Sequence, residues 1–335
     1  MPRRHTYRKL ALLIGGPMLV ELTVMALWFW MLMEATKGQD KKPFEQMWIT
    51  AAGAIGYCLS AFAAGRWVTT RIAPWLMGSM LGLGAAAGLA GIGLGRFEGF
   101  VAATFLMGAC IGHYYVPFQI NMGRVRPFET LAYSIACYNI AWGLGGAIGP
   151  FFGGVLRDLG LGYESFVLVV VGLVVAHGLL LGLSRTPEPD DPPPTAAFES
   201  TGRQRKFAWI NFFIVGLAFR GLYGTLWPDL GKQMQWADWK IGLGQTLMLF
   251  PVAGAALVWA RCRNRLIEPW FMIGSMAVGA AAFAILPWMP NWPTAVACCL
   301  LIGVMESCVV YHSLYYANAD AHTKGRSLGI AETMA

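Results

Sequence analysis

Long apolar runs separated by short polar breaks fill this chain from end to end. A helix needs about 20 residues to cross the hydrocarbon core of a bilayer, and the runs match that length. They fall at about 10–33, 46–65, 74–95, 98–121, 132–156, 164–184, 207–228, 241–260, 269–288 and 293–317. The pattern predicts an all-α polytopic membrane protein with ten spans, and an eleventh beginning near Ser327. The opening "MPRRHTYRKLALLIGG" places basic residues ahead of an apolar run, as a signal peptide does. That run continues through "MLVELTVMALWFWMLM" with no small-residue cleavage site, so it reads as the first span.

One stretch breaks the pattern. Residues 185–206, "RTPEPDDPPPTAAFESTGRQRK", are rich in proline and charge and lack apolar periodicity, which predicts a linker. It divides the chain into residues 1–184, with six spans, and residues 207–335. The two parts repeat at a separation of 195 residues: Arg66 matches Arg261, Pro74 Pro269, Trp75 Trp270, Met77 Met272, Leu106 Leu301 and Gly108 Gly303. Spans two to four therefore correspond to spans eight to ten, in two halves of parallel orientation. At the same separation Ala335 corresponds to Ile140. The expectation is a truncated reading of a longer protein, with most of an eleventh span and a twelfth still to come.

Composition and charge sharpen the class. Hydrophobic residues make up 56% of the chain and charged ones 13%, more apolar surface than one soluble core can hide. With the N-terminus inside, seventeen lysines and arginines fall in cytoplasmic segments and seven in outside loops. That asymmetry is the orientation signal of multi-pass proteins, here expected in a bacterial inner membrane. It accounts for the net charge of +7, and no basic patch interleaved with aromatics points to nucleic acid. The seven cysteines have no metal-ligand spacing and lie mostly inside spans, so neither a metal nor another cofactor is expected.

The fifth span carries "GLGGAIGPFFGG" (143–154). A phosphate-cradling loop would need a preceding strand and a following Lys-Ser/Thr, and neither is there. Ala141, Gly145, Gly149 and Gly153 instead recur every fourth residue, which gives a helix a smooth stripe for close approach by another. Pro150 removes one backbone hydrogen bond and can kink the helix.

With six spans, a linker and a repeated set, the chain resembles the major facilitator superfamily of secondary transporters. Gly145, Gly149, Pro150, Gly153 and Gly154 are similar to that family's fifth-span G-x-x-x-G-P-x-x-G-G signature, associated with drug and proton antiporters. "GRWVTTRIAPW" (65–75) is similar to its cytoplasmic glycine-aspartate-arginine loop, with Gly65, Arg66 and Arg71 in place and threonine where the aspartate stands. The resemblance implies a bundle of two six-helix halves, the second incomplete here. It further implies alternating access, a cavity lined by spans one, four, seven and ten, and efflux by antiport.

Polar residues inside spans mark candidate sites, because ionisable groups in a bilayer are costly. Span one carries Glu21, span seven Asn211, Arg220 and Tyr223, span four "GHYYVPFQIN" (112–121), and span ten "MESCVVYHSLYY" (305–316). Glu21 and Arg220 each stand six residues before the leucine of a Leu-Trp pair, Leu27 with Trp28 and Leu226 with Trp227, so they occupy related places in the two halves. They read either as a structural ion pair or as a coupling or anchoring pair. Glu306 has no obvious basic partner in its own span, and a carboxyl in apolar surroundings can carry a proton at neutral pH. Glu306 and Glu21 are the candidates for proton coupling.

The candidate solute-binding set is Arg220, Tyr223, His113, Tyr114, Gln119, Asn121, Tyr311 and His312. The histidines could relay protons or be hydrogen-bonded within the bundle; the tyrosines could stack on a planar solute or anchor at the interface. The expected function is proton-coupled export of a small organic solute by a monomer in the bilayer, with uptake of an organic anion or sugar as the alternative that Arg220 suggests. A membrane enzyme would need a catalytic set gathered on loops, which the sequence does not offer. A non-transporting receptor on the same scaffold is the other class.

Overall fold

A computed structural model describes residues 2–69, 71–122, 131–184, 202–262, 269–288, 291–319 and 330. Among these residues the chain is helical, without a strand. The helices are α1 (Pro2–Met33), α2 (Pro43–Trp67), α3 (Ala73–Leu94), α4 (Phe97–Met122), α5 (Leu131–Asp158), α6 (Tyr163–Ser184), α7 (Gly202–Gly221), α8 (Trp227–Gln233), α9 (Asp238–Arg261), α10 (Pro269–Ile285) and α11 (Trp292–Ala319). Backbone groups in lipid find no water, and helices satisfy them within each segment. Among the described residues nine helical stretches are long and apolar enough to cross a membrane, and Trp270–Ile285 is a shorter tenth. The protein is a multi-pass membrane protein.

Several boundaries differ from the sequence reading. α1 runs on into a π-helical turn, Glu34–Gly38. The seventh span extends over Lys206–Gln233, and a second π-helical turn, Leu222–Leu226, joins α7 to α8 directly after Arg220. α7 already begins at Gly202, so it takes in the last residues of the predicted linker. The rest of that linker, Thr70, the start of an eleventh span near Ser327 and the side chain of Asn121 lie outside the described residues.

Glycines decide which helices meet. A methyl group on Gly145 would strike the Met18 carbonyl, and one on Gly149 would lie 2.7 Å from Met25 Cβ, so one face of α5 rests on the backbone of α1. On its other face a methyl on Gly154 would come within 2.6 Å of the Asp238 carbonyl oxygen, and one on Gly143 within 2.8 Å of the Ala253 nitrogen. The glycine-rich stretch thus packs α5 against α1 of the first half and α9 of the second at once. Pro150 lies in that seam, its carbonyl against Gly242 of α9.

The repeat reappears as packing. A methyl on Gly108 of α4 would strike the carbonyl of Gly53 in α2, and one on Gly303 of α11 would strike the carbonyl of Met248 in α9. Gly84 of α3 faces Cys110 of α4, as Gly279 of α10 faces Met305 of α11. Every member of the second set stands 195 residues after its counterpart. α6 is the least buried of the nine long spans, and its Leu168, Val175 and Leu179 point outward, as suits lipid contact.

Candidate functional site

A cavity of about 190 Å³ lies between the halves, walled by α1, α2, α4 and α5 on one side and by α7, α9 and α11 on the other. Two carboxylic side chains and one guanidinium reach it: Glu21, Glu306 and Arg220. Each comes from a different helix that the sequence singles out for intramembrane polarity, and the fold brings them to one space.

Glu21 is held from within its own half, where the Tyr115 hydroxyl donates to Glu21 Oε1 at 2.7 Å. Tyr115 is buried between α4 and the cavity, and its ring meets that of Tyr138 edge-on at 6.0 Å. Arg220 is half-buried at the end of α7, within electrostatic reach of Glu306. Glu306 is 5% exposed, and its Oε2 has no hydrogen-bond partner among the described residues.

The π-helical turn after Arg220 places Tyr223. Such a turn leaves backbone groups out of register, and here Gln245 Nε2 of α9 donates to the Tyr223 carbonyl at 2.6 Å. Gly224 lets the turn approach Thr50 of α2. The Tyr223 ring stacks between Trp28 of α1 and Phe219 of α7, 5.4 Å from each. The Tyr223 hydroxyl and Thr50 Oγ1 also have no hydrogen-bond partner among the described residues. Both residues line the cavity beside Glu306.

The other predicted binding residues are placed elsewhere. His113 faces Trp67 at 5.8 Å, and its Nδ1 donates to the Ala109 carbonyl at 2.9 Å. Tyr114 shares a 3.2 Å hydrogen bond with His177 Nε2 and stacks on Phe118, which puts it in the packing toward α6. Gln119 is buried and donates to the Tyr138 hydroxyl at 3.2 Å, one residue removed from the cavity. Tyr311 stacks on Tyr315, and His312 Nδ1 donates to the Cys308 carbonyl at 2.7 Å, while their neighbours Val310 and Leu314 face the cavity. Arg66 is exposed over the Phe62 ring, and Arg71 is exposed in the turn before α3.

Sequence reasoning passed over Thr50, Tyr57, Tyr138 and Trp142, which the cavity recruits. Positions 50, 53, 54 and 57 on α2, and 138, 142 and 146 on α5, each make one helical face, a spacing that the many aromatics of the chain mask.

A second polar cluster joins the halves beyond the Trp28–Tyr223 stack. Asp238, at the start of α9, receives Lys37 Nζ on Oδ1 at 2.6 Å and Arg157 Nε on Oδ2 at 2.8 Å. Arg157 also donates to Glu34 Oε2 at 3.2 Å, and Lys37 to the Trp236 carbonyl at 2.6 Å. Asp158 accepts from the Trp239 backbone N–H at 2.8 Å and so caps α9. Lys232 pairs with Asp40, and that hydrogen bond holds the Asp40 carboxyl below its usual range.

A family model described as Major Facilitator Superfamily matches residues 13–335. A stretch of 147 residues, 41% of the chain, is 29% identical to the "Uncharacterized MFS-type transporter YfiS" of Bacillus subtilis (strain 168). The match spans 35% of that relative, about a third of its length. Among solved structures, the human organic anion transporter MFSD10 (TETRAN) superposes with a TM-score of 0.63 at 13% identity, covering 98% of this chain and 90% of that one. FucP, a Major Facilitator Superfamily transporter in the outward conformation, superposes with a TM-score of 0.57 at 15% identity, covering 95% and 88%.

Proposed function

Since the chain belongs to the Major Facilitator Superfamily, we propose that it is a secondary active transporter that moves a small organic solute across the membrane by alternating access. The observation that carries the reading is the cavity between the halves, into which Glu21, Arg220 and Glu306 all face. The halves rock about that cavity, and the solute site is exposed to one side and then the other.

Glu306 is the proposed proton carrier. It is a buried carboxyl with an unpartnered oxygen, on the wall of a solute-sized space, so a proton or a solute can satisfy it. Glu21, already bonded to Tyr115, is the second candidate. Export by proton antiport follows the likeness of the α5 glycines to the antiporter signature. Uptake of an organic anion is the second reading, favoured by Arg220 in the same cavity.

Proteoliposomes loaded with a pH-sensitive dye test the assignment. Addition of a transported solute from a panel of small amines, carboxylates and sugars is expected to move protons across the membrane, and counterflow of that solute is expected without a gradient. A receptor on this scaffold would bind a solute and give neither signal. Sodium-dependent transport with no proton movement would overturn the proton coupling.

A further inference from the structure

The groups at the cavity specify the sign and shape of its occupant. Two carboxylates, Glu21 and Glu306, share the space with one guanidinium, Arg220, so the fixed charges leave one acid in excess. Charge in a poorly hydrated space is costly unless paired. The acceptor left open is at Glu306: Glu21 Oε1 accepts from Tyr115, while Glu306 Oε2 accepts from no described residue. The Tyr223 hydroxyl and Thr50 Oγ1 lack partners as well, and both line the cavity with Glu306. Three helical segments thus bring three residues with an unmet, buried polar atom to the wall of one void.

Aromatic side chains make up a large share of the wall, Trp28, Tyr57, Tyr138, Trp142, Phe219 and Tyr223 among them, beside aliphatic residues such as Met25, Met107 and Leu249. Ring faces carry negative potential and attract cations. The Trp28–Tyr223–Phe219 stack, with interplanar angles of 21° and 23°, forms a shelf for a flat body. An anion here would meet Arg220 but also two carboxylates and several aromatic rings. A cavity of about 150 Å³ takes benzene, so the volume of about 190 Å³ admits a one-ring solute with a short polar arm.

We infer that the solute is a small organic cation, an ammonium group on a flat apolar body, with the ammonium at Glu306 and the body on the Trp28–Tyr223–Phe219 shelf. The Tyr223 and Thr50 hydroxyls take the remaining ammonium hydrogens or a polar substituent. This rests on the transporter reading for its biological meaning, while binding itself can be measured without transport.

The test is calorimetric titration of the purified protein with three probes of similar skeleton: 2-phenylethylammonium, 3-phenylpropionate and 2-phenylethanol. The ammonium is expected to bind at least about tenfold more tightly than either of the others. Glu306→Gln is expected to weaken ammonium binding by about tenfold or more and leave the alcohol unchanged. Tyr223→Phe, which keeps the shelf, is expected to weaken the ammonium by only a few-fold. Tighter binding of the carboxylate, equal binding of all three, binding of none, or ammonium binding indifferent to Glu306→Gln would each overturn the inference. The comparison of probes on the native protein decides the matter even if Glu306→Gln does not fold. Ammonium binding without counterflow in proteoliposomes would leave the inference standing and remove the transporter reading. Counterflow of carboxylates alone would do the reverse.

Discussion

Arg157 of α5 and Asp238 of α9 meet at 2.8 Å, an ion pair joining the two halves of the bundle at one end, and Lys37 closes on the other oxygen of the same carboxylate. Asp238 and Arg157 expose only 9% and 14% of their side chains, so this cluster is screened less than an ordinary surface pair.

Breaking that cluster is expected to loosen the halves. Asp238→Asn and Lys37→Met should each lower thermal stability in detergent by roughly 1–2 kcal/mol, and the double variant should lose less than the sum, because both remove one interaction. Additive losses in a double-mutant cycle would show that Lys37 and Asp238 are not coupled.

The seam along α5 is expected to tolerate no added side chain. Gly149→Leu should cost about 1–3 kcal/mol or abolish folding, since even a methyl there lies 2.7 Å from Met25 Cβ. Gly172→Leu on α6, where nothing lies within 4 Å, is the matched control and should be neutral. Size-exclusion profiles and melting curves of the two variants make the comparison.

Tyr115→Phe removes the donor to Glu21 Oε1 and nothing else of size. A hydrogen bond to a charged group contributes about 1.5–3 kcal/mol. Solute exchange at saturating solute is expected to slow by about tenfold or more with the fold intact. A variant with native exchange rates would remove Glu21 and Tyr115 from the transport cycle.

The Lys232–Asp40 tie gives a pH control. Asp40 is held below its ordinary value by the Lys232 hydrogen bond, so its contribution is fully present above the unfolded value of about 3.9 and fades as pH falls through the lowered folded value. Asp40→Asn should therefore leave the pH profile of transport between about 5 and 8 unchanged. A profile displaced by that substitution would mean that coupling involves this end of the bundle.

The spans, the repeat and the charged members of the cavity were legible in the sequence for one reason: a bilayer penalises polarity, so Glu21, Arg220 and Glu306 stand out from their surroundings. The facing of neighbours was harder to read. Successive residues of a helix point about 100° apart, so within one run Tyr115 reaches the cavity while His113 and Tyr114 turn to Trp67 and His177. Val310 and Leu314 take the places expected for Tyr311 and His312 in the same way. Tyr138 and Trp142 were hidden because aromatics are common throughout the chain. No local pattern announced the π-helical turn at Leu222–Leu226, which needs Gln245 of α9 and Thr50 of α2 to settle it. The glycines of α5 signalled a smooth stripe, but only the fold shows that α1 and α9 both use it.

The proposed role of Glu306 is to couple solute movement to protons. It is tested most directly by transport of 2-phenylethylammonium in proteoliposomes under an imposed pH gradient, with the native protein beside Glu306→Gln. The native protein is expected to accumulate the solute against its gradient, and Glu306→Gln is expected to give no gradient-driven accumulation. Accumulation by Glu306→Gln equal to that of the native protein would contradict it.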